Sequence, residues 1–104
     1  MSYDGYIERD GEIVGELGSY TSNVGPMWSK ALGCRLQDTS GWDVRTAAIV
    51  FRGAADQMRL DPEAYEAMAP ANGWGTYEGA LRYLVNAADV CDAYRDDAVV
   101  RWSA

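Results

Sequence analysis

Histidine is missing from this chain altogether, and that absence excludes more than any single motif asserts. Without imidazole there is no side chain whose ordinary pKa lies near neutrality, and the commonest metal ligand is lost. Ser-His and Cys-His nucleophile pairs are likewise excluded within one chain. Cysteine is scarce as well. Cys34 and Cys91 stand far apart with no CxxC spacing, which points to neither a zinc ribbon nor a redox pair. The plain reading is two reduced thiols, one in a loop and one in a helix core. No apolar run approaches the roughly 18 residues of a membrane span. Met1-Ser2-Tyr3-Asp4 does not read as the start of a signal peptide. The expectation is a soluble, cytoplasmic protein with no membrane partner.

What is present suits one folded unit. A chain of 104 residues, 48% of them hydrophobic, is long enough to bury a single core, so residues 1–104 are expected to form one domain. Sixteen acids against nine bases leave a net charge of −7, and Lys30 is the only base that is not arginine. Such a surface repels a phosphate backbone at long range, so general nucleic-acid binding is not expected. A local arginine can still hold one small anion through its bidentate fork.

Residues 3–17 predict a β-hairpin. Two alternating runs flank Asp10-Gly11, a strong two-residue turn signal because glycine supplies a positive φ. Strands are predicted at 3–9 and 11–17, with Ile13, Gly15 and Leu17 on one face. Gly18-Ser19-Tyr20-Thr21-Ser22-Asn23 is then expected to leave the sheet and cap a helix at 24–32 through Ser22 or Asn23, with Pro26 in its first turn and Gly33 at its end. Residues 34–42 read as a loop, with Ser40 or Asp43 as the next cap. From Val44 the apolar positions Val44, Ala47, Ala48, Phe51, Ala54, Ala55 and Met58 keep three-and-four spacing, the mark of one buried face on a helix at 43–60. Arg52 and Asp56 are spaced to pair on its outer side. Asp61-Pro62-Glu63 opens a short helix over 62–68 with Tyr65 and Met68 inward. Thr76 starts a last helix at 76–95 carrying Tyr77, Leu81, Leu84, Ala88 and Cys91 inward. Residues 98–102 read as a strand. The expected architecture is α+β: a three-stranded antiparallel sheet, made of the hairpin and the C-terminal strand, with about four helices on one face.

The stretch Asn72-Gly73-Trp74-Gly75-Thr76-Tyr77-Glu78-Gly79 is the most distinctive in the chain. Its two glycines allow close approach of a partner, and the tryptophan between them is either a plug on the core or a flat stacking surface. Asn72 suits an Asx turn, and Glu78 lies in a first turn where the helix dipole favours negative charge. Together with Thr21-Ser22-Asn23 and Asp61-Pro62-Glu63-Ala64-Tyr65, this block resembles a family of small phage and bacterial proteins with an early Thr-x-Asn and a late Asn-Gly-Trp-Gly-x-Tyr-(Glu/Asp)-Gly motif. The resemblance spans roughly residues 19–101. It implies a shared fold and a phage origin, and it transfers no catalytic residue.

Enzyme readings are weak, because Glu63 with Glu66 and Asp92 with Asp96 have the spacing of solvated helix faces, and no phosphate loop or nucleophile elbow occurs. Arg35 and Arg45 read as surface charge. The candidate site joins Ser19, Thr21 and Asn23 with Asn72, Trp74, Thr76, Tyr77 and Glu78. Both segments precede helices and so present unpaired N–H groups beside short polar side chains. Trp74 and Tyr77 would supply a flat wall, Thr21 and Asn23 directional hydrogen bonds. The expected function is non-enzymatic binding of a small polar ligand, with no cofactor and no metal, and with a homodimer completing the pocket. Following the phage resemblance, the ligand would be a nucleotide-derived signal sequestered in counter-defence. The alternative is an acidic inhibitor that binds a host defence protein.

Overall fold

Asp10 and Gly11 both take left-handed backbone angles, with φ of 53° and 79°. This is the two-residue turn whose twist matches that of the strands it connects. It joins β1 (Ser2–Arg9) to β2 (Glu12–Thr21) as an antiparallel hairpin. The computed structural model describes residues 2–94 and 97–103. Its third strand, β3 (Ala98–Ser103), pairs antiparallel with the other side of β1, so the sheet order is β2-β1-β3, as expected from the hairpin and the C-terminal strand. The outer side of β3 is partly closed by the chain before the second helix. Gly41 N–H donates to the Val100 carbonyl at 2.7 Å and Val100 N–H to the Trp42 carbonyl at 2.9 Å.

The hairpin departs from simple alternation. Gly5 faces Gly18 but Tyr6 faces Glu16, and Ile7 faces Gly15 but Glu8 faces Ile13. Leu17 and Val14 are therefore the extra residues of two bulges. Each bulge advances the phase of the strand by one residue. Leu17 stays in the core, whereas Ile13 pairs with Glu8 and is left 63% exposed. The grouping of Ile13 with Gly15 and Leu17 on one face is thus corrected. So is the end of the strand. Gly18 to Thr21 remain in the sheet opposite Ser2 to Gly5, because the bulge at Leu17 turns Tyr20 onto the core side with its cross-strand partner Tyr3.

Four helices cover one face of the sheet. A 3₁₀ turn at Ser22–Val24 leads into α1 (Gly25–Leu32), which buries Met27 and Trp28 and ends at Gly33 with φ 80°. The loop at 34–42 contains a further 3₁₀ turn, Leu36–Thr39, that buries Leu36. Asp43 caps α2 (Val44–Leu60), its carboxylate accepting from Arg45 and Thr46 N–H, and all seven stripe positions from Val44 to Met58 are buried. α3 (Pro62–Glu66) is shorter than expected and buries Tyr65, while Met68 is only half-buried. Asp61 makes no side-chain cap there. α4 (Tyr77–Ala93) runs against both α2 and β2, and its buried face is correspondingly wide: Tyr77, Ala80, Tyr83, Leu84, Ala87, Ala88 and Cys91. Leu81, expected in the core, lies at the margin of that face and is half-buried. The expected end of this helix at 95 lies outside the described residues, as does Asp96. Among the described residues no helix is long and apolar enough to cross a membrane.

Arg52 does not pair with Asp56 along its own helix. It donates instead to Asp89 and Asp92 of α4, while Arg59 takes Asp56 at 3.4 Å. Close packing of α2 on α4 brings a second helix's carboxylates within reach, and those satisfy the fork better than one neighbour four residues on. Because Leu84 is fully buried and Leu81 is not, Leu84→Ala is expected to lower stability by about 2–5 kcal/mol. Leu81→Ala should cost clearly less, and equal losses in denaturant unfolding would contradict the helix phase described.

Candidate functional site

The end of β2 and the loop before α4 adjoin. Tyr20, projecting from β2 onto the core side, accepts the Thr76 N–H on its hydroxyl at 3.1 Å. Gly75, with φ 109°, lies so close to β2 that a Cβ there would sit 2.7 Å from both Thr21 Cγ2 and Val24 Cγ1. Gly79, one turn into α4, receives the Tyr20 hydroxyl where a side chain would stand, since a Cβ would fall 2.0 Å from that oxygen. These contacts explain the spacing of Gly75 and Gly79: both are places where the loop and helix meet Tyr20 and its neighbours without side chains of their own.

The loop is held by short-range bonds. Asn72 Oδ1 accepts from Trp74 N–H at 2.9 Å, closing an Asx turn, and Gly73 follows with φ 76°. Thr76 Oγ1 accepts from Gly79 N–H at 3.0 Å and caps α4. On the other segment Thr21 Oγ1 accepts from Asn23 N–H at 3.3 Å. α1 itself, whose N-cap position is Val24, has no side-chain cap.

Two clefts flank Tyr20. The first, about 380 Å³, is lined by Ser2, Ser19, Tyr20, Thr21 and Trp74. The second, about 310 Å³, is lined by Tyr20, Gly79, Arg82, Tyr83 and Asn86. Tyr20, which lines both, is packed among other rings. The Tyr20 ring stacks on Tyr83 with centroids 6.0 Å apart and leans on Trp28 at the same distance. The Trp28 indole N–H donates to the Ala80 carbonyl at 3.1 Å. Tyr83 donates to the Gly18 carbonyl at 2.7 Å, and burial, with a smaller contribution from Asp4, pushes its hydroxyl well above the usual tyrosine range.

Of the residues expected at the site, Ser19, Thr21 and Trp74 line the first cleft, and Thr76 is tied to its Tyr20 wall. Asn72 shapes the loop from an exposed position, and Asn23 is exposed outside the cleft lining. Tyr77 does not form a wall. It is turned into the core, and its hydroxyl donates to the Met58 carbonyl at 2.9 Å, because α4 must bury that position against α2. Glu78 faces a different groove, with Arg59, Leu81, Arg82 and Val85. Tyr20, Arg82, Tyr83 and Asn86 were not singled out from the sequence. Tyr20 sat unremarked between Ser19 and Thr21, and its role depends on a bulge that composition does not display.

The residues that line the two clefts bring aromatic rings and hydrogen-bonding side chains, and neither cysteine is among them. Burial pushes the Cys91 thiol up to about 12, and burial with Asp38 nearby raises Cys34, so neither is a thiolate at neutral pH. Among the described residues no group of three or more acidic or cysteine side chains is placed to hold a metal ion. The chain matches no known protein family, no curated protein and no solved structure.

The Tyr83 hydroxyl gives a pH-dependent test of how the site is built. Its folded pKa lies above the unfolded value near 10, so the proton is held more tightly in the folded chain. The stability this contributes is complete below about pH 10 and is lost as pH rises beyond it. Tyr83→Phe is expected to cost about 0.5–1.5 kcal/mol at pH 8. It should also make the loss of stability above pH 10 less steep, as measured by thermal unfolding across pH.

Proposed function

We propose that this protein is a non-enzymatic binder of a small polar ligand, held where β2 meets the loop before α4. The observation that carries the reading is Trp74. Its indole is 66% exposed and lines the first cleft, on a loop whose neighbouring N–H groups are already engaged by Asn72 and Tyr20. A large aromatic held in solvent by a well-bonded loop is a surface prepared for a flat partner. Ser19 and Thr21 supply hydroxyls beside it that can donate or accept. Such a site needs no general base, which suits a chain without histidine. The resemblance to small phage proteins extends the reading to counter-defence, with the ligand a nucleotide-derived signal withdrawn from a host. A second copy of the chain would deepen a cleft that one small domain leaves shallow.

Native mass spectrometry of protein purified from metabolically active cells tests this. A co-purifying small molecule should be present in the parent and lost in Trp74→Ala, with a milder loss in Thr21→Val. In direct titration Trp74→Ala should weaken binding by roughly five- to a hundred-fold, the range for one aromatic stack. Retention of the ligand by Trp74→Ala overturns the reading.

A second reading, an acidic inhibitor of a host protein, has its own observation. The sheet face away from the helices carries a cleft of about 310 Å³ lined by Asp4, Tyr6, Ile13, Glu16 and Ser19 among others, beside the edge strand β2. On this reading a basic partner would bind with affinity that falls steeply with salt, and Glu16→Lys would abolish binding while Trp74→Ala would not. Salt-independent binding, or loss with Trp74→Ala instead, would argue against it.

A further inference from the structure

We propose that the second cleft against Tyr20 receives a phosphate, so that the ligand is a planar heteroaromatic phosphate ester, the chemistry of a nucleotide; this rests on the reading of Trp74 as the stacking surface. Tyr20 lines both clefts, and on this proposal one ligand reaches around it, its ring at Trp74 and its phosphate beside Arg82. What the second cleft adds is Arg82. In a chain with 16 acids, Arg35, Arg52, Arg59 and Arg101 are each paired with a carboxylate. Arg82 makes no hydrogen bond or ion pair among the described residues, although Glu78 lies four positions before it on the same helix. Arg82 lines the second cleft with Tyr20 and Tyr83, and also borders the neighbouring groove that Glu78 lines.

The remaining donors fit the same group. Asn86, four residues beyond Arg82, lines the cleft and brings an amide N–H₂ to the same side of α4. The Tyr20 hydroxyl accepts from Thr76 N–H, which leaves its own proton to donate. The Tyr83 hydroxyl is committed to Gly18, so it competes for none of these. A guanidinium fork, an amide and a phenolic O–H together bring one positive charge and several donors to one side of α4, a set that the oxygens of a phosphate ester can accept. Gly79 leaves beside α4 the space that the Tyr20 hydroxyl occupies.

Calorimetric titration with the four nucleoside 5′-monophosphates and their parent nucleosides tests the assignment. At least one monophosphate should bind roughly ten- to a hundred-fold more tightly than its nucleoside, the span of a charged hydrogen-bond set. Arg82→Gln should reduce that ratio to about one while leaving nucleoside binding and the thermal midpoint unchanged, because the side chain is exposed. Asn86→Ala should lower the ratio partially. Equal binding of nucleotide and nucleoside, or a ratio that survives Arg82→Gln, overturns the phosphate assignment and leaves the Trp74 site standing. If no monophosphate binds, the assignment is likewise overturned, and the Trp74 reading then depends on the co-purification result alone.

Discussion

The fold depends on how the backbone irregularities of β2 are satisfied. A bulge removes a residue from the ladder and bends the strand, and polar groups next to it need partners from elsewhere. Here they come from Tyr83 of α4 and from Tyr94, the residue that caps its C-terminus. Tyr94 donates to the carbonyl of Val14, the extra residue of one bulge, at 2.8 Å, and Tyr83 to that of Gly18, beside the other. Tyr20 closes the set in the opposite direction by accepting from Thr76 just before α4 begins. β2 and α4 are thereby joined at three levels, each through a hydroxyl at the end of a ring that also contributes apolar contact. Glycine makes room for this: a Cβ on Gly15 would fall 2.2 Å from the Tyr94 oxygen, and one on Gly5 would fall 2.4 Å from the Trp102 ring.

The site follows from that arrangement. With β2 bent by the bulge at Leu17, its last residues stay in the sheet long enough to place Tyr20 against Trp28 and Tyr83. The loop before α4 must then pass over Tyr20 with a glycine at its closest point, and Trp74, two residues before Thr76, is carried out over Ser19 and Thr21. Tyr20, which lines both clefts, has its ring packed against Trp28 and Tyr83. The groups around it can stack and donate hydrogen bonds.

Electrostatics divides the surface in a way that net charge does not reveal. Carboxylates of α4 are engaged by Arg52 from α2, and Asp38 by Arg35, whose guanidinium and backbone hold that carboxyl below its usual range. These exposed pairs contribute little to stability individually. Several arginines are paired locally, whereas Arg82, which lines the cleft beside Tyr20, is in no ion pair among the described residues, and the buried Nε of Arg9 also has no partner.

Much of the architecture is written in short-range patterns. Asp10-Gly11 determined the hairpin because only left-handed angles close a two-residue turn with the right twist, and the seven stripe positions of α2 determined its buried face through the 3.6-residue period. The Asn-Gly-Trp-Gly block likewise marked where a loop meets a helix, and Ser19, Thr21, Trp74 and Thr76 do gather there. Other features could not be read this way. Whether Val14 and Leu17 bulge depends on what β1 and α4 offer across the strand, so the reversal of Ile13 and the persistence of β2 to Thr21 appear only in the assembled sheet. Leu81 lost its core place and Tyr83 gained one because α4 packs on two neighbours at once, which widens its buried face beyond a single stripe. Tyr77 turned inward for the same reason. The pairing of Arg52 is decided by the distance between two helices remote in sequence. Local propensity and periodicity operate over a few residues, whereas these contacts span up to 80 residues, and only tertiary packing brings their partners together.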